Sequence, residues 1–147
     1  MPAHALTRKG EIHSVYGLEF KITGLHEDVH IVLRQLGRPP KFLEEGAAMY
    51  ADGRRGARCF DAEVSPWVAP GAVVSLIGDA AFIGSDSFRS YPLAASFAGF
   101  LIETYGVEAF KDLYAYRTSD PGEEFRRIYG MSLEELEAAW LARLREA

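Results

Sequence analysis

One stretch near the middle of the chain restricts its fold more than any other. From Pro92 to Tyr105 apolar residues fall almost all round the helical wheel: Leu93, Ala94, Ala95, Phe97, Ala98, Phe100, Leu101 and Ile102. A helix of this kind has no polar face to offer water, so other elements must enclose it. Pro92 is placed to open it and Gly106 to stop it. Ala95 and Gly99, one turn apart, would let a neighbouring helix come close. With 147 residues, 48% of them apolar, the chain can build one domain, residues 1–147, around that centre.

The surrounding segments read mostly as helices. Leu25, Val29, Val32, Leu33 and Leu36 recur at helical spacing, with Thr23 as the cap and Gly37 as the stop. Pro39-Pro40 leads into a second helix, Lys41 to Ala51, closed by Asp52-Gly53. Residues 54 to 70 read as loop, with a strand in Ala57 to Val64. A short helix from Val73 to Phe82 and a polar loop from Gly84 to Arg89 follow. Three helices complete the chain, from Val107 to Arg117, Pro121 to Tyr129 and Leu133 to Glu146. The last has a capping box, Ser132 with Glu135, and a core stripe of Leu136, Trp140 and Leu144. Trp67 and Trp140 read as core anchors. At the front, β-branched and aromatic residues between Ile12 and Ile22 predict one or two strands, which makes 1–22 a short β-containing segment. The expected class is α+β, mainly α.

Composition narrows the function. A net charge of -5 argues against general affinity for nucleic acid, and Arg54, Arg55 and Arg58 form too short a basic cluster to reverse it. The stretch from Trp67 to Ile83 is interrupted by Pro70, Gly71, Gly78 and Asp79, so it cannot span a bilayer. Met1 to Lys9 contains no apolar run of the signal-peptide kind. The expectation is a soluble chain without nucleic-acid or membrane partners, cytoplasmic if the chain is full length. Its oligomeric state has no signature in the sequence. The single Cys59 rules out an internal disulfide and reads as a small packed residue.

The chemistry concentrates in His26-Glu27-Asp28-Val29-His30, which matches H-E-x-x-H. Residues four apart on a helix share a face, so both imidazoles can reach one tetrahedral Zn²⁺. Glu27, next to them, can take a proton from water without filling a coordination position. The plain alternative is two exposed helix histidines beside a glutamate. A third ligand is required, and no histidine follows His30. It must be a carboxylate or Cys59, and the next helix offers Glu44 and Glu45. These point about 100° apart, so only one can face the metal.

His26 to Leu33, followed by Pro40-Lys-Phe-Leu-Glu-Glu-Gly-Ala-Ala-Met-Tyr50, resembles the peptidase MA-like gluzincins. Those zinc peptidases carry H-E-x-x-H and then an aromatic-Leu-x-Glu-Gly-x-Ala motif on the following helix. Tyr91 to Gly106 is similar to the family's buried helix, and Tyr129 to Trp140 to its Gly-x-Ser-x-x-x-Leu-x-x-x-Trp ending. The resemblance runs from about Ile22 to the C-terminus. It implies a zincin-like metallopeptidase domain with a reduced N-terminal β element and a helical C-terminal part. It implies one zinc ion on His26, His30 and Glu45, with Glu27 as general base, acting on a peptide or protein substrate. Tyr91 is the candidate donor to the oxyanion, ahead of Tyr50 and His13. A second reading is a catalytically inactive zinc-binding module that binds peptides or regulates a partner. Asp28 and the short front segment point that way.

Overall fold

The computed structural model describes residues 5–8, 11–14, 25–52 and 56–146. Two strands, β1 (Ala5–Arg8) and β2 (Glu11–Ser14), form an antiparallel pair that matches Ala5 with Ser14 and Arg8 with Glu11. Helices follow without interruption by further strands among the described residues: α1 (Leu25–Leu33), α2 (Lys41–Ala51), α3 (Gly56–Val64), α4 (Ala72–Leu76) and α5 (Asp79–Ile83). After them come α6 (Ser87–Tyr105), α7 (Val107–Ala115), α8 (Pro121–Tyr129) and α9 (Leu133–Arg145).

The expectation of an α+β, zincin-like fold is overturned. The domain is helical, and its core is made between helices rather than between helices and a sheet. The two described strands pair only with each other. Among the described residues from Leu25 on, every regular element is a helix, so no sheet layer faces the core there. The segment from Ala57 to Val64, expected as a strand, lies within α3 instead. Its buried Phe60, Asp61 and Val64 recur at helical spacing. Thr23, residues 15–22 and the pair Arg54 and Arg55 lie outside the described residues.

The all-apolar helix takes the central position its composition requires. In α6, every residue from Pro92 to Leu101 is buried, with α2, α3, α4, α7 and α9 packed round it. Phe97 makes the hub. Its ring meets Phe42 of α2, Phe125 of α8 and Trp140 of α9 at centroid distances of 6.1, 6.3 and 5.7 Å. The helix begins earlier than Pro92: Asp86 caps it by accepting from the Phe88 N–H at 3.1 Å. Pro92 therefore sits inside the helix and gives up one donor there. The exposed residues Ser87, Phe88 and Arg89 read as loop in sequence because they have no core to mark them.

The helix expected from Val73 to Phe82 is two short ones, separated at Gly78. Glu137 of α9 holds the first of them by accepting from the Gly71 and Val73 backbone N–H groups at 3.1 and 2.6 Å. The capping box at Ser132 and Glu135 forms as expected. Gly106 and Gly130 adopt positive φ, 95° and 69°, where a side chain would be strained. Gly37 works differently. A Cβ there would lie 2.5 Å from the Ala115 carbonyl oxygen, so the turn after α1 presses on the end of α7. Of the tryptophans, Trp140 is fully buried and Trp67 half-buried against the core. Cys59, expected to pack, is exposed on α3.

Candidate metal centre

Helices α1 and α2 meet side by side, and their facing turns bring three side chains to one point. His26 and His30, one turn apart on α1, direct their Nε2 atoms toward each other at 3.1 Å. Glu45 of α2 brings Oε2 to within 3.2 Å of His26 Nε2 and 3.3 Å of His30 Nε2. The imidazoles stand edge to face, with centroids 4.8 Å apart and planes at 79°. Among the described residues this is the one group of three such side chains whose ligand atoms gather closely. His30 is buried, while His26 and Glu45 are partly open to solvent.

Hydrogen bonds alone do not satisfy this triangle. Each Nε2 carries at most one hydrogen. If both are protonated, both can donate to Glu45, but two N–H groups then oppose each other across the 3.1 Å contact. If only one is protonated, some edge sets one lone pair against another. A cation at the centre makes all three contacts attractive. The donor set, two imidazoles and a carboxylate, thus fits a metal ion with an open fourth position.

The site's electrostatics show the same coupling. The hydrogen bond to Glu45 raises the His26 pKa above its ordinary 6.5, against the lowering effect of burial, and the charges of Glu45, Glu27 and Asp52 add to the rise. Burial alone would raise the Glu45 carboxyl, but the hydrogen bonds from His26 and His30 outweigh it and hold the group at about 2. Glu27, half-buried, is near enough for its charge to act on His26.

Helix geometry turns Glu45, and not Glu44, toward the histidines, and Lys41 then takes up Glu44. Its ammonium pairs with Glu44 Oε2 at 2.7 Å, one turn along the same helix, and leaves Glu44 buried away from the histidines. Glu45 is aimed by the residue after it. A Cβ on Gly46 would collide with the carbonyl oxygen of Ala94, so α2 lies against the backbone of α6 at that turn. Sequence reasoning did not assign Gly46 a role, although a glycine inside a helix is itself a signal of close packing.

Tyr91 sits on the same side of the molecule. A cleft of about 140 Å³ opens beside Glu45, lined by Lys41, Phe82, Ile83, Ser85, Ser87 and Tyr91. The Tyr91 ring stacks on Phe82 at 5.3 Å, with 9° between planes. Burial, with a smaller effect of the Glu45 charge, pushes its hydroxyl pKa up, so it stays a donor. Tyr50 is elsewhere and donates to Glu103 at 3.4 Å. His13 belongs to β2 opposite Leu6, and its side chain lies outside the described residues. No sequence signal marked the cleft, because its walls come from α2, α5 and α6 together. No helix among the described residues is long and apolar enough to cross a membrane.

No protein-family model matches the chain, and neither does any curated protein or solved structure.

Proposed function

We propose that this chain is a zinc-dependent peptidase, with one Zn²⁺ on His26, His30 and Glu45 and with Glu27 as general base. The observation that carries the reading is the ligand triangle. Zinc bonds of about 2.0–2.1 Å set tetrahedral ligand atoms about 3.3 Å apart. The edges here measure 3.1, 3.2 and 3.3 Å. The chemistry is that of the gluzincins, set on a helical fold. When bound, zinc supplies a Lewis acid that polarises the scissile carbonyl and makes water more acidic.

The chain's own residues supply the rest. Glu27 follows His26 on α1, about 100° round the helix, so it is adjacent to the ligands without being one of them. Its carboxylate takes the proton of the attacking water and passes it to the leaving amine. Tyr91, kept protonated, donates to the oxyanion that forms on the substrate. Glu45 remains a carboxylate across the working pH range.

The second reading, an inactive zinc-binding module that holds peptides or regulates a partner, is favoured by one observation. The described strands span only four residues each, a short edge for aligning an extended substrate. One experiment separates the readings. Elemental analysis should give one zinc per chain, and a peptide library should be cut by the parent protein. Glu27→Gln should keep the zinc and lose the cleavage. Stoichiometric zinc without cleavage by the parent would establish the module reading, and absence of metal would sink both.

A further inference from the structure

The cleft beside Glu45 is wider than the metal centre needs, and its lining is specific. Phe82 and Tyr91 form a stacked aromatic floor, and Ile83, 71% exposed, stands as a bare apolar wall. Its exposed side chain supplies apolar surface at the edge of the cleft, beside the aromatic pair. The volume, about 140 Å³, compares with the cavity of about 150 Å³ that accepts one benzene ring.

The charged groups round the cleft, and the Ser85 hydroxyl, are already engaged. Lys41 is neutralised by Glu44 at 2.7 Å, and its backbone N–H donates to Asp79 Oδ1 at 2.8 Å. The Ser85 hydroxyl donates to the Phe82 carbonyl, which ties down the turn that carries the wall. Glu45 is committed to the two histidines. Neither a free cation nor a free anion is left among these groups to select a charged side chain.

We infer that this cleft is a specificity subsite for one apolar side chain, aromatic or branched aliphatic, on the residue of a peptide substrate next to the scissile bond. The inference rests on the peptidase reading above, because only adjacency to Glu45 makes the cleft a substrate site. Phe82 and Ile83 act as specificity residues. Small side chains leave the apolar lining uncovered, and acidic ones find no free cation there.

Two measurements test it. Mass-spectrometric mapping of cleavage in a peptide library should place Phe, Tyr, Leu or Ile next to the cut, with Gly, Asp and Glu depleted. Ile83→Asp, a change at an exposed position, should reduce cleavage beside those residues at least about tenfold while zinc content stays at one per chain. Separately, the full chain labelled at isoleucine methyls is titrated with N-acetyl-phenylalaninamide and N-acetyl-glycinamide. The Ile83 methyl resonance should move with the first probe and not the second. Absence of zinc or of all cleavage overturns the peptidase reading, and the subsite with it. Zinc and cleavage without side-chain preference, or a preference that Ile83→Asp leaves intact, overturns the subsite alone. So does an Ile83 resonance that ignores the aromatic probe.

Discussion

His26 and Glu45 shift each other's titration in opposite directions, and the signs fix a pH dependence. The Glu45 carboxyl is held at about 2, below its ordinary 4.5. Its contribution to stability is fully present above the ordinary value and is lost as pH falls toward the depressed one. His26 is raised above 6.5, so its contribution is fully present below that value and is lost as pH rises through the folded value. In the metal-free protein the contact is strongest between those limits. A metal needs the neutral imidazole, so cation and proton compete for His26. Zinc affinity measured by calorimetric titration should therefore weaken as pH is lowered and His26 takes up its proton. An affinity that stays constant as pH falls would show that no proton competes with the ion at His26. At this scale the sequence was informative where spacing is local: His26, Glu27 and His30 sit in one turn and a half. Glu45 was separated from Glu44 only through the family resemblance: the roughly 100° between them lets one alone face the histidines but does not say which. That depends on how α2 is turned by its packing on α6, which the sequence of the helix leaves open.

Helix α2 brings Glu45 to the histidines while lying flat against α6. Gly46 makes that possible, since a methyl group there would strike the Ala94 backbone, which cannot move out of a buried helix. Gly46→Ala should therefore force α2 outward. Over-packing of this kind costs about 1–3 kcal/mol, more than the small gain an alanine brings to an isolated helix. Thermal unfolding should move down, and zinc affinity should fall with it although no ligand has changed. A stable Gly46→Ala protein with unaltered zinc affinity would show that Gly46 does not place Glu45. Element boundaries were legible where local chemistry sets them, as at the Ser132 and Glu135 box or at Gly106 and Gly130. They were misread where tertiary packing decides. Gly56–Val64 carries only Phe60 and Val64 as large apolar residues, a spacing too short to announce a helix by itself, and it packs as helix on α6. The first turn of α6 is exposed, Phe88 included, so no buried stripe announced the helix before Pro92.

Across the whole molecule, two separate systems hold the chain together, and they fail independently. The first is a polar spine through the core. Trp140 Nε1 donates to Ser96 Oγ at 2.9 Å, Ser96 donates to Asp61 Oδ1 at 2.5 Å, and Asp61 Oδ2 accepts two bonds from Arg143 at 3.0 and 2.9 Å. It fastens α3, α6 and α9. The second is the His26, His30 and Glu45 cluster, the proposed metal centre, which links α1 to α2. Helix α1 depends on it more, because most of its side chains are half-buried whereas the middle of α6 is enclosed throughout. Ser96→Ala leaves the Trp140 N–H and one Asp61 oxygen buried without that partner, a loss of about 1–3 kcal/mol for each group so stranded. It should lower the denaturation midpoint and keep one zinc per chain. Glu45→Gln should do the reverse, with zinc affinity lost and the core nearly unchanged. On the zinc reading, the ion would stabilise the native state by mass action, about 2.7 kcal/mol at a hundredfold excess over the dissociation constant. That stabilisation should be concentrated in α1. Hydrogen exchange with and without zinc should slow the amides of Leu25–Leu33 while those in the centre of α6 exchange at their global rate. Uniform slowing across both helices would mean that the ion holds the entire fold, and that the helical core cannot stand without it.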